Sequence, residues 1–126
     1  MKLNPWMTAA AALLFLTTGV HVFMGGPEIH HVIQASALPE DVRAIGAVLW
    51  HAITATLLVF ALGCLWLAHN TNTALAVTIG AVQVLFAVLF IFYGATLLGT
   101  LWVMPQWIIF LLIPVVMLLG LLRQRR

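Results

Sequence analysis

Residues 44–68 have the sequence AIGAVLWHAITATLLVFALGCLWLA, which contains no Asp, Glu, Lys or Arg. An α-helix needs about 20 apolar residues to cross a hydrocarbon core roughly 30 Å thick, and this stretch is long enough. The rest of the chain has the same character, because 64% of its 126 residues are hydrophobic and only 6% are charged. A water-soluble domain is not expected to have that composition. We therefore expect the lipid bilayer to be the solvent of this protein.

Three further apolar runs accompany this one. The predicted helices are 6–24, 39–68, 74–98 and 106–122. The first begins after Asn4-Pro5, since Asn is a good N-cap and Pro suits the first helical position, and we expect the Gly-Gly-Pro motif at 25–27 to end it. The connections after the second and third helices are short, which favours antiparallel neighbours. The sequence therefore predicts an all-α fold, an up-down four-helix transmembrane bundle that forms a single integral membrane domain over residues 1–126.

The basic residues indicate how this bundle is oriented. Four of the five lie at the chain ends: Lys2, Arg123, Arg125 and Arg126. Cytoplasmic segments carry an excess of Lys and Arg, so both termini are predicted to be cytoplasmic after four crossings. The first connection carries all three acidic residues of the chain and belongs outside. The expected location is the bacterial inner (plasma) membrane.

The first connection, residues 25–43, is the only segment expected to have structure outside the bilayer. Ile29, Val32 and Ile33 recur at helical spacing, which predicts a short amphipathic helix on the outer surface. We expect the first helix to be retained rather than cleaved as a signal peptide, because the Ala-Ser-Ala motif at 35–37 lies too far from the apolar run.

Four of the five histidines, His21, His30, His31 and His51, are expected to converge at the outer end of the bundle, and we name them the histidine cluster. His21 lies three residues before the predicted end of the first helix, and His51 lies just inside the outer boundary of the second. Their imidazoles therefore have matching depth on antiparallel helices. The connection that carries His30, His31 and Glu28 closes over the same end.

A metal ion is the first ligand that this cluster predicts. Neutral imidazole is the commonest metal donor in proteins, and a carboxylate can add a ligand or orient one. The predicted ligands are His21, Glu28, His30, His31 and His51. This donor set suits Zn, Fe or Cu(II), and a thioether from Met24 would favour Cu(I). Tyr93, near the outer end of the third helix, is a further peripheral candidate.

Haem b is the alternative cofactor, with His21 and His51 as its two axial ligands. Gly19, Gly25 and Gly46 are expected to leave room for the macrocycle. Ionisable residues inside a membrane are costly and by default mark function, which favours His21 and His51 over the histidines of the connection. Purely structural histidines, each bonded to a backbone carbonyl or a nearby threonine, are the alternative to any ligand site.

Three functions remain open at this point. The first is an accessory or redox subunit that binds a metal ion or haem at its outer face. The second is a small oligomeric channel or transporter protomer, in which the cluster acts as a pH or selectivity element. The third is a structural subunit of a larger membrane complex. The expected partners are the lipid bilayer and either further copies of the chain or a larger complex, with no nucleic acid.

Four other residues carry smaller expectations. Gln83 in the middle of the third helix is expected to face protein rather than lipid. Pro114 is expected to kink the fourth helix. Arg43 is expected to pair with Glu28 or with an acidic residue of its own first turn. The single cysteine, Cys64, excludes an intrachain disulfide.

Overall fold

The computed structural model describes residues 3–124, apart from the side chain of Gln124. Its elements are α1 (Pro5–Val20), a π-helical segment (His21–His30), α2 (His31–Gln34), α3 (Glu40–Leu67), α4 (Thr73–Leu97) and α5 (Trp107–Gln124). The first three elements form one continuous helix of 30 residues, Pro5–Gln34, which we call the first long helix. The described residues contain no strand, so the predicted all-α fold is confirmed.

Three helices are long and apolar enough to cross a membrane, as judged by their length and composition. They are Pro5–Gln34, Glu40–Leu67 and Thr73–Leu97. The fourth predicted helix also forms, but as a shorter apolar helix, Trp107–Arg123. A helical bundle in a lipid environment therefore accounts for the described part of the chain.

The prediction that residues 25–27 end the first helix is wrong. In an α-helix the ring of Pro27 would clash with the carbonyl group of Phe23, four residues earlier. A π-helix has wider turns, in which each N–H bonds five residues back, and the N–H of His31 accordingly donates to the carbonyl of Gly26. The chain therefore passes the proline by widening its turns instead of stopping.

The prediction of a separate amphipathic helix within the first connection is also wrong, because the first long helix continues past Pro27. Residues of α2 continue the first long helix, and the connection shrinks to residues 35–39. Two reciprocal hydrogen bonds close it: Nε2 of Gln34 donates to the carbonyl of Arg43, and the Arg43 guanidinium donates to the carbonyl of Gln34, both at 2.9 Å. Arg43 therefore binds backbone where we expected it to pair with a carboxylate.

The packing of the helices differs from their order along the chain. α1 packs against both α3 and α5, and α5 packs against α4. α3 and α4 touch little, although only a short turn joins them, and a close contact between Gly63 and Ile79 lies near that turn. The buried face of α1 carries Met7, Ala10, Ala11, Leu14 and Thr18. Its two alanines suit a central helix, since small side chains let neighbouring helices approach closely in a membrane.

Gln83 lies on the buried face of α4 and is 0% exposed, which confirms the prediction that it faces protein. Neither its amide nitrogen nor its amide oxygen has a hydrogen-bond partner among the described residues. Pro114 lies inside α5, and its ring packs over Gly80 of α4.

Asn4 joins three helices at one end of the bundle, which we call the Asn4 end. Its backbone N–H donates to the carbonyl of Ala68 at 2.9 Å, and its side-chain amide donates to the carbonyl of Gly120 at 3.0 Å. Its side-chain oxygen accepts from the N–H groups of Trp6 and Met7, so the predicted N-cap is confirmed. One buried residue therefore caps α1 and ties it to the ends of α3 and α5.

We predict that Asn4→Ala lowers the free energy of unfolding by about 2 kcal/mol, because it removes a helix cap and leaves a buried carbonyl without its donor. Thermal unfolding in detergent micelles measures the change. Asn70→Ala is the matched control, since the Asn70 amide bonds one carbonyl within its own turn. Equal stability of the two variants would contradict the role given to Asn4.

Candidate functional site

His21 and His51 lie at the same level of the bundle. The hydrogen bond from Asn4 to Ala68 aligns α1 with α3 at the Asn4 end. His21 follows Asn4 by seventeen residues and His51 precedes Ala68 by seventeen, so each lies about 25 Å from that end. A direct contact supports this count, since Nε2 of His21 lies 3.4 Å from the carbonyl oxygen of Trp50, the neighbour of His51.

The π-helical register brings His30 to the same face as His21. His30 follows His21 by nine positions. In an α-helix of about 3.6 residues per turn, nine residues make about two and a half turns and end on the opposite face. Each π-helical turn holds about one residue more, so nine residues make roughly two turns and end on the same face. The wide turns therefore align side chains that an α-helix would separate.

Trp50 is the ring on which these histidines meet. Its centroid lies 4.0 Å from that of His21, with the two planes 17° apart, and 5.6 Å from that of His30, with the planes 19° apart. His30 in turn lies 5.3 Å from His51, edge to face, and 5.9 Å from His31. The cluster therefore assembles around one indole and one imidazole, at what we call the histidine end.

Sequence reasoning missed Trp50. A tryptophan near a membrane boundary has a sufficient explanation as an interfacial residue, because its ring is amphipathic. The available signal was its position directly before His51, at the depth predicted for His21. Depth alone does not give the rotational phase of a helix, so that signal was too weak to assign Trp50 a contact.

His21 and His51, which were expected at matching depth, each pack against a different ring. His21 stacks on Trp50, and His51 packs against His30. The room expected for a macrocycle is also filled at two of its three positions. The Trp50 indole lies 3.1 Å from where a Cβ atom of Gly25 would be. A methyl group of Ile33 lies 3.3 Å from where a Cβ atom of Gly46 would be. Only Gly19 faces open space.

The remaining candidates lie outside the ring contacts. Glu28 is exposed, and Met24 is 60% exposed. Tyr93 is 48% exposed on α4, where its ring packs edge-on against Phe92. Across residues 3–124, no three or more His, Cys, Asp or Glu side chains form a group that could hold a metal ion. The shortest distance between two imidazole rings of the cluster is that between His30 and His51.

No family model, curated protein or solved structure matches this chain.

We predict that Gly25→Ala destabilises the protein by about 1–3 kcal/mol, because the added methyl group would push the Trp50 indole away from the π-helical segment. Gly19→Ala, six residues earlier in the same long helix, meets no atom within 4 Å and serves as the control. It should leave stability unchanged or raise it by about 1 kcal/mol or less. Chemical unfolding of both variants in micelles tests the difference, and equal losses would show that the contact with Trp50 is unimportant.

Proposed function

We propose that this chain is a small integral membrane protein that binds one transition-metal ion at its histidine end. His30 and His51 are the first two ligands, and His31 is the third. The observation that carries this proposal is the distance of 5.3 Å between the ring centroids of His30 and His51.

That distance suits two imidazoles that share one ion. When two imidazoles bind a tetrahedral ion at about 2 Å, their ring centroids lie roughly 5 Å apart. His31 is next to His30 in sequence and its ring centroid is only 5.9 Å from that of His30. Its side chain is exposed, so a change of rotamer costs little and brings a third imidazole to the same ion. Glu28 is exposed as well and offers a carboxylate as the fourth ligand or as a hydrogen-bond partner for one of the imidazoles.

Trp50 and His21 form the apolar side of the proposed metal site. The indole contacts both His21 and His30, and such an apolar wall limits the access of water and orients the ligand in front of it. The His21 imidazole stacks on the Trp50 indole, and its Nε2 lies within hydrogen-bonding distance of the Trp50 carbonyl oxygen. We therefore assign His21 to support of the site rather than to the first three ligands.

Imidazole donors favour Zn, Cu, Fe or Ni, and Zn(II) accepts the tetrahedral arrangement that three imidazoles and one oxygen ligand would form. The haem alternative has less support, because side chains fill the space beside Gly25 and Gly46. We propose Zn(II) or copper as the ion, in an accessory role within a homo-oligomer or a larger membrane complex. The exposed apolar side chains of α3, which packs mainly on α1, offer a surface for such partners.

We predict that the purified protein binds one Zn(II) ion and that His30→Ala and His51→Ala each weaken this affinity roughly 10-fold or more. Competition against a chromophoric chelator measures the affinity. Co(II) substitution gives a second readout, because a tetrahedral site produces intense visible bands.

His69→Ala is the matched control, since His69 is an exposed histidine near the Asn4 end and should not alter the affinity. If the wild-type protein binds no Zn(II) or copper, the metal proposal fails. Solute flux in liposomes that depends on His51 and on pH would then favour the channel or transporter function. An absence of both activities would favour the structural subunit.

We also propose that both termini are cytoplasmic, in a bacterial inner membrane, and that the histidine end faces outward. The contact between Asn4 and Gly120 supports a common side for the two ends of the chain, and the basic residues near those ends support the cytoplasmic side. We predict that a fluorescent-protein fusion after residue 126 is fluorescent and that alkaline phosphatase inserted at residues 35–39 is active. Active phosphatase at the C-terminus would reverse the proposed orientation.

A further inference from the structure

We propose that the π-helical register of His21–His30 assembles the metal site, and that Pro27 and Gly25 are positioning residues that maintain this register. This inference rests on the proposed function, because its consequence is measured as metal affinity. It goes further by naming residues that touch no ligand and by linking ion binding to a change in helix geometry.

Pro27 favours the π register by making the α register unfavourable. An α-helical turn would bring the Pro27 ring against the carbonyl of Phe23, and this clash kinks or breaks α-helices. The π-helical turns around Pro27 are wider and carry the bond from the N–H of His31 to the carbonyl of Gly26. Alanine at position 27 would remove the ring and restore an N–H group, so the α register would become available.

Gly25 lets the widened helix accept Trp50. The Trp50 indole lies 3.1 Å from where a Cβ atom of Gly25 would be, so any larger side chain would push the indole away by a few tenths of an ångström. The same indole stacks on His21 and His30, which lie before and after Gly25. His21, Gly25 and His30 therefore share one face in the π register, and Trp50 packs against that face.

The α register would separate the side chains of the proposed metal site. His30 would move by about half a turn relative to His21, away from Trp50 and from His51. An ion held by His30 and His51 binds the π register better than the α register. Ion binding therefore shifts the equilibrium between the two registers toward the π register. By linkage, the factor of this shift equals the ratio of the ion's affinities for the π and α registers.

The spacing of the histidines offers a rescue experiment. Deletion of Gly26 and Pro27 places His30 seven positions after His21 instead of nine. Seven residues make about two turns of an α-helix, so the two histidines return to one face without any π-helical turn. Pro27→Ala keeps the spacing of nine and has no such compensation. The two variants both lack the proline but differ in the face on which His30 lies.

The experiment measures Zn(II) affinity in micelles for the wild-type protein, Pro27→Ala, the Gly26-Pro27 deletion, and Pro39→Ala as the control proline at an exposed position in the connection. We expect Pro27→Ala to weaken binding roughly 10-fold and the deletion to bind within about threefold of the wild type. Pro39→Ala should match the wild type.

Each outcome separates the two proposals. If the wild-type protein binds Zn(II) and Pro27→Ala binds it equally well, the register inference is overturned while the metal site stands. Loss of binding in the deletion variant, with thermal unfolding like that of the wild type, overturns the inference as well. If Pro27→Ala does not fold, the deletion variant decides the result alone. An absence of binding in the wild-type protein overturns the proposed function itself.

Discussion

The steric conflict that an α-helical turn would create between the ring of Pro27 and the carbonyl of Phe23 is the constraint on which the whole histidine end depends. The first long helix meets it by widening over His21–His30 and then continues as α2. Widening changes the phase of every residue that follows in this helix, so it decides which side chains of the π-helical segment and of α2 meet α3. The stacking of His21 and His30 on one indole depends on that change of phase.

Lipid imposes simple rules, and much of the fold is predictable for that reason. Apolar runs mark the helices, Asn4 marks a helix start, and a count of residues brings His21 and His51 to one depth. The conformation of residues 25–27 follows no such rule. A Gly-Gly-Pro motif usually stops an α-helix, and here the continuing helix is packed against Trp50, which comes from a distant part of the chain. A local pattern contains no information about that partner.

The contacts within the candidate site were harder to predict than its location. Spacing in an ordinary α-helix would have put His21 and His30 on opposite faces, so only the irregular register explains their meeting. Gln83 shows the same limit in another form. Its burial follows from the cost of exposing an amide to lipid, but the pairing of that amide depends on the side chains that surround it. Depth is a property of one helix, whereas phase and pairing belong to the assembled bundle.

The packing of α1 between α3 and α5 also has a consequence for the order of synthesis. Every residue of the candidate site lies within positions 21–51, and α1 and α3 make the most extensive helix contact in the described chain. α4 and α5 pack chiefly on each other and join the pair mainly through the contact of α5 with α1. Because a chain emerges from its N-terminus, the α1–α3 hairpin, with His21, His30, His31 and His51, leaves the ribosome before α4 does. The last two helices thus pack onto a hairpin that already carries the histidine cluster.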